Sequence, residues 1–404
     1  MAKYRVKDVF VAGGMPVLTY VGRADITLER SLRSEVGEGY KLITITGPTK
    51  SGKTVLARHV LGKERSITVN GGQVETSSDL WSDLLSKLSL PSEIENTNET
   101  KISVGLRWLI SAQSQVSEGN KQKFSSSHKT YILEHLRVND LTLVIDDFHY
   151  MKQDVQRDVI RTLKSEIFEG LTAVLIAVPH RAFDAIGVER EMEGRFAHIE
   201  IPIWSKDELK RIAVIGFPLV KMNVANAAIG KLSKEAYGSP LLMQRFCARL
   251  CAHYEVKETL PRESSYNPSD SALEKIFVSV AEQFGLPTFQ KLSKGPQSRS
   301  KRIDRQLRDG SGSLDRYEAV LRAVAMTGPK EKIHYDEIRD KLKSILDDSS
   351  GLQKHEVSAA LGHMAAIARD EIDGEPVLEW SDDFLYLTDP FLIFYMRWTQ
   401  RQQA

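Results

Sequence analysis

Cysteine is nearly absent: the 404 residues include two. That scarcity excludes a disulfide-stapled scaffold and any cysteine-rich metal cluster, because such sites need several closely spaced thiolates. Cys247 and Cys251 stand one helical turn apart in the apolar run Leu241–Cys251, the spacing of two thiols buried in a core. The ten histidines form no H-E-x-x-H pattern, so a zinc site is not expected, and no G-x-S-x-G element marks a serine hydrolase. Long hydrophobic runs are missing too. Leu141–Ile145 and Leu171–Val178 fall far short of the roughly 20 residues that span a bilayer as a helix. Gly13, Gly14 and Pro16 interrupt the apolar run after Lys7, so there is no secretory pattern, and a cytoplasmic location without a membrane partner is expected. An excess of one charge is also lacking. With 55 Lys and Arg against 54 Asp and Glu, there is no global electrostatic case for a nucleic-acid partner, and any such surface must be local.

What the chain does have is a repeated strand-then-helix pattern. Lys41–Thr46 alternates apolar with polar or β-branched residues and runs into Gly47-Pro48, a strand delivered to a turn, and Gly52–Leu61 continues as a helix. Ser66–Asn70 is a second strand and Asp79–Leu88 an amphipathic helix. Leu141–Ile145 and Thr172–Val178 are continuous apolar runs, the form of strands buried on both faces of a parallel sheet. Ala197–Ile203 is a shorter candidate, and Asp154–Phe168 is helical. This order predicts a three-layer α/β domain over 1–204. After Trp204 the strand signals stop. Ser205 with Glu208 has capping-box spacing, and helices follow to 286, including Ser271–Phe284. Residues 287–313 are polar and locally basic, with Lys291, Lys294, Arg299, Lys301, Arg302, Arg305 and Arg308, and are predicted to be a linker. Over 314–404, helical patterns at Leu314–Met326, Tyr335–Leu346 and Gln353–Ala368 precede strand-like Val377–Trp380 and Phe384–Leu387, the order of a winged helix.

The strongest chemical signal is Gly47-Pro48-Thr49-Lys50-Ser51-Gly52-Lys53-Thr54, which satisfies G-x-x-x-x-G-K-[ST] and joins a predicted strand to a predicted helix. Glycines let such a turn aim backbone N–H groups and a helix N-terminus at phosphates. Residues Gly47 to Thr54, with Val55 next in the helix, are therefore the predicted site for ATP or ADP. Lys53 is placed at the β- and γ-phosphates, and Thr54 on Mg²⁺. Magnesium needs a carboxylate opposite Thr54, and Asp146, at the end of the Leu141 strand, supplies it. Asp147 is placed to polarise the attacking water.

With these motifs the chain resembles the AAA+ ATPases, in the branch that groups origin-recognition-type ATPases with the STAND signal-transduction NTPases. Val21-Gly22-Arg23 resembles that branch's hydrophobic-G-R box, which implies that Gly22 and Arg23 lie near the adenine. Gly238-Ser239-Pro240 resembles its G-x-P motif, which brings Pro240 to the nucleotide base. The resemblance further implies an arginine finger or related sensor at Arg195, with Arg190 and Arg181 as competitors, and a polar sensor at His180; His149 is expected to pack or cap. The family's lid arginine, three residues after the glycine, is Leu241 here, with Arg245 one turn later. That departure implies slow or partner-stimulated hydrolysis. Two functions follow as expectations. One is a nucleotide switch that assembles with itself or with a separate effector protein, as in bacterial stress or phage-defence systems. The other is an ATP-dependent DNA-binding protein of replication-initiation or transposition-targeting type, contacting DNA through the 291–308 segment. The hairpin tip Ser381-Asp382-Asp383 is acidic and makes the wing a poor DNA clamp.

Overall fold

A computed structural model describes residues 3–23, 26–90, 120–177, 194–297, 302–328, 332–372 and 376–400. The chain divides into two compact units. One comprises Ala24–Gly47 and Lys53–Ile201; the other comprises Met1–Arg23, Pro48–Gly52 and Pro202–Ala404.

The first unit is built on five strands, the three central ones buried on both faces and the two edge ones half-buried. These are β1 (Leu42–Thr46), β2 (Ser66–Asn70), β3 (Thr142–Asp146), β4 (Ala173–Ile176) and β5 (Phe196–Glu200). They pair in parallel in the order β2-β3-β4-β1-β5. Because side chains alternate along a strand, Ile43 and Ile45 face α1 (Leu28–Glu38) and α2 (Lys53–Leu61), packing with Leu32 and Leu56. Leu42, Leu143 and Leu175 face the other way, onto Leu84 of α3 (Ser77–Lys87), Leu136 of α4 (Asn120–Val138) and Leu163 of α5 (Gln153–Phe168). Each such leucine contributes on the order of 1.5–3 kcal/mol by leaving water. The result is the expected three-layer α/β architecture.

The second unit holds two cores. In the first, α6 (Lys206–Leu219), α7 (Asn226–Glu235), α8 (Pro240–His253) and α9 (Asp270–Phe284) gather Phe217, Phe246 and Phe277. Val9 and Phe10, from near the start of the chain, join that core, so Met1–Arg23 falls in this unit, whereas the sequence reading groups it with the α/β domain. The strand signals do not stop at Trp204 either: β6 (Met222–Val224) pairs in parallel with β7 (Ser264–Tyr266). These strands are too short for a period to show.

The 287–313 segment is not a solvated linker in its described residues. It begins with α10 (Leu286–Lys294) and carries the small antiparallel pair β8 (Arg305–Gln306) and β9 (Ser313–Leu314). Four of its basic residues have protein partners. Arg302 pairs with Asp315 at 2.6 Å, Arg305 with Glu356 at 2.6 Å, and Arg308 with Asp348. Lys291 donates to the Glu371 carbonyl at 2.7 Å. The acidic partners stand up to about fifty positions away, so a local reading of composition missed them. Arg299 and Lys301 lie outside the described residues.

The second core follows the order helix, strand, helix, helix, strand, strand. It comprises α11 (Arg316–Met326), β10 (Lys332–His334), α12 (Tyr335–Ile345), α13 (Lys354–Asp370), β11 (Leu378–Ser381) and β12 (Phe384–Leu387). The strands form an antiparallel sheet in the order β10-β12-β11, which is a winged helix. A further helix, α14 (Pro390–Gln400), closes the chain. Its Phe391, Phe394, Tyr395 and Trp398 enter the first core, and its Leu392, Ile393 and Met396 enter the second.

Candidate nucleotide site

The glycine-bearing turn leaves the carboxyl end of β1, the strand at which the sheet order reverses, which is where open α/β sheets offer a crevice for ligands. Gly52 has φ +98° and Lys50 φ +58°. A side chain at residue 52 would be strained in that conformation, even though a Cβ there would meet no neighbour. The turn closes with the Ser51 N–H donating to the Pro48 carbonyl at 3.2 Å. Lys53 is 8% exposed and opens α2; its Nζ donates to the Gly47 carbonyl at 2.8 Å. Ser51 Oγ is buried with no hydrogen-bond partner among the described residues, as a hydroxyl held for a ligand would be.

Thr54 Oγ1 donates to Asp146 Oδ1 at 3.1 Å. Asp146, itself 8% exposed, is brought there because β3 is held level with β1 through β4, Leu175 pairing with both Ile145 and Thr44. A hydroxyl and a carboxylate converging in this way are the hard oxygen donors that suit Mg²⁺. When bound, the ion would neutralise phosphate charge, with Thr54 and Asp146 the residues that would hold it. Asp147 adopts a left-handed backbone, φ +56°, and its N–H donates to Asp146 Oδ1 at 3.1 Å. Burial, and then the Asp146 charge, push the Asp147 carboxyl above its ordinary range against the pull of Lys53. A carboxylate with raised proton affinity suits polarising a water.

Three residues emerge that sequence reasoning passed over. Gly71 follows β2, and a Cβ there would lie 2.6 Å from the Asp147 carbonyl oxygen. Its lack of a side chain therefore lets two backbones meet and sets Asp147. The only signal in the sequence was a Gly-Gly pair after a strand. His198 of β5 places its ring nitrogens 3.1 Å from Thr44 Oγ1 and 3.3 Å from Thr46 Oγ1. Burial lowers its pKa, opposed by Glu200. Trp204 Nε1 donates to the Ser51 carbonyl at 2.8 Å.

The other expected residues are distributed as follows. Pro48 and Thr49 lie half-buried in the turn, and Val55 is half-buried in α2. The Gly22 carbonyl accepts from Arg211 at 3.5 Å. Arg23 is buried and committed to protein groups. It forks onto Glu208 at 2.7 and 3.2 Å, donates to the Pro202 carbonyl at 2.7 Å, and lies 5.0 Å over the Trp204 ring. Its charge therefore positions the chain around Trp204. Pro240 occupies the first turn of α8 behind the Ser239 cap. Arg195 precedes β5, whose Phe196 pairs with Leu42 while its Glu200 pairs with Thr46. It thus lies at the end of the sheet away from the phosphate loop, about 13 Å of strand distant, stacked 4.5 Å over the exposed Phe168 ring. The structure does not bring it to Lys53 within one chain. His180, Arg181 and Arg190 fall outside the described residues. His149 is buried against Tyr150, with ring centroids 4.2 Å apart. Cys247 and Cys251 are fully buried, and burial pushes the Cys251 thiol up to about 12.

Residues 36–184, which hold the phosphate loop after β1 and the acidic pair after β3, match the family model of an AAA domain. In fold the chain is similar to several solved ATPase structures. The Walker-type ATPase of Pyrococcus abyssi is similar with a TM-score of 0.57 at 14% identity, covering 96% of this chain and 99% of that one. The Aeropyrum pernix ORC2 protein, in ADPNP-ADP complexes, is similar with a TM-score of 0.54 at 13% identity, covering 100% of both chains. Its ADP form gives 0.53 at 14% identity over 98% of each. No protein of curated function matches the sequence.

Proposed function

We propose that this chain binds Mg-ATP and hydrolyses it slowly, acting as a nucleotide-dependent assembly switch. The observation that carries the reading is the meeting of Thr54 and Asp146 at 3.1 Å beside a buried Lys53. In this reading Lys53 and the amides of Gly47–Thr54 hold the phosphates, Thr54 and Asp146 hold magnesium, and Asp147 orients the water. Arg195, at the far end of the sheet, acts on a neighbouring copy or not at all. Leu241 in place of a lid arginine supports slow turnover, because one guanidinium that could stabilise γ-phosphate charge is missing there. The switch works with further copies of itself or with a separate effector, in a defence or stress role.

The DNA-binding alternative is weakened by the structure's charge pairing. Arg302, Arg305 and Arg308 are matched to carboxylates, and Lys354 of the third winged-helix helix pairs with Asp383 at 3.0 Å. A salt titration of duplex binding separates the two: a steep loss of strong binding with salt favours DNA.

Isothermal titration calorimetry tests the main reading. The unaltered chain takes up Mg-ATP, and Lys53→Ala loses about 1.5–3 kcal/mol of binding, roughly 10- to 150-fold. An unchanged affinity in a folded Lys53→Ala protein would remove the phosphate loop from the account.

A further inference from the structure

Lys50 stands in the middle of the phosphate loop at a position the motif leaves open to any residue. Its left-handed backbone belongs to the loop, but its ammonium leaves it. Nζ lies 2.9 Å from Asp389 Oδ2 and 4.0 Å from the centre of the Phe391 ring. The other oxygen of Asp389 accepts from the Phe391 N–H at 2.6 Å, so the same carboxylate caps the first turn of α14. Phe391 in turn stacks on Phe284 of α9, with centroids 5.1 Å apart and planes 28° from parallel, and Arg245 of α8 lies 4.8 Å over Phe284. All these residues belong to one compact unit. The Lys50 and Asp389 side chains are 32% and 15% exposed, so water screens the pair incompletely.

We infer that the Asp389 carboxylate is a resident anion of the phosphate loop, competing with the nucleotide's phosphates for Lys50 and thereby coupling loop occupancy to the first turn of α14. This rests on the proposed nucleotide binding and adds a regulatory residue to it. A turn built to attract anions already has one fixed at its edge. A triphosphate brings several negative charges to the same turn, and the two anions compete for one ammonium. Linkage makes the coupling reciprocal. Weakening the Asp389–Lys50 pair tightens nucleotide binding, and nucleotide loosens the cap of α14.

The test is a double-mutant cycle read by calorimetry with Mg-ATP, using the full chain, Asp389→Asn, Lys50→Met and the double variant. Asparagine keeps the capping oxygen and removes the charge. Asp389→Asn binds Mg-ATP roughly fivefold tighter, the size of one screened ammonium, that of the released Lys50, acting on phosphates several ångströms away, and this gain disappears when Lys50 is already methionine. In the unaltered chain, Mg-ATP also speeds hydrogen exchange of the amides at 391–394, and Lys50→Met abolishes that response. Unchanged or weaker binding by Asp389→Asn with an unaltered melting temperature overturns the inference. So does an equal gain in the Lys50→Met background. Should Asp389→Asn not fold, the exchange comparison between the unaltered chain and Lys50→Met decides. Absence of Mg-ATP uptake by the unaltered chain sinks the nucleotide reading as well, whereas uptake that ignores Asp389 removes this inference alone.

Discussion

Asp147 carries a charge in a place that disfavours it. Burial and the neighbouring Asp146 raise its proton affinity, so the folded chain holds that proton more tightly than the unfolded chain does. The stabilising contribution is complete at pH below the unfolded carboxylate range and is lost as pH climbs through the raised value. Asp147→Asn, with no charge to lose, should therefore melt higher than the unaltered protein near neutral pH, and the gap should close in acid. Thermal unfolding between about pH 4 and about pH 8 without nucleotide or magnesium checks this, and a gap that widens in acid reverses the sign assigned here. The same variant should bind Mg-ATP while hydrolysing it about 100- to 10,000-fold more slowly, the usual worth of a positioned base. At this scale the proposed site was named from short local patterns: Lys53 and Thr54 close the phosphate-loop motif, and Asp146 and Asp147 end an apolar strand. Arg23 was less so, because its salt bridge reaches Glu208, 185 positions away.

Elements place those residues, and their junctions are where substitutions should tell. Gly71 lies against the Asp147 carbonyl and the Phe148 backbone, and a methyl carbon added there would stand only 2.6 Å from the carbonyl oxygen. Backbone cannot swing aside as a side-chain tip does, so Gly71→Ala should cost about 1–3 kcal/mol and slow hydrolysis by shifting Asp147. Gly72→Ala, whose nearest neighbour is the Asn70 side chain at 3.1 Å, should be milder. Denaturant titration of both decides, and equal stabilities would remove the close contact from the explanation. Strand and helix identities were largely visible as periods of two and 3.6, as β2 and the Ser205–Glu208 capping box show. α14 was not. A helix whose Phe394 feeds one core while its Met396 feeds another is apolar nearly all round and shows no stripe.

At the scale of the whole molecule, Arg195 poses a question of assembly. A guanidinium at the amino end of β5 cannot reach a phosphate held at the carboxyl end of β1 in the same chain. Arg195→Ala should therefore leave Mg-ATP affinity intact and leave the rate of dilute protein unchanged. At concentrations where the unaltered chain self-associates, the variant's specific hydrolysis should fall toward the dilute rate, by about 1,000-fold at the lower end of the worth of an arginine supplied in trans. Rates measured across protein concentration, beside sedimentation of the same samples, check this. A loss already complete in dilute monomer contradicts the trans role.

The phosphate-loop motif was written in eight consecutive residues, and the layered sheet in short apolar runs, because both depend on neighbours within a turn or a strand. Folding settled which acid neutralises which base, why residue 71 must lack a side chain, and how Lys50 meets Asp389. Each of those joins groups far apart along the chain, whose meeting depends on the packing of whole elements and leaves no mark in any local window.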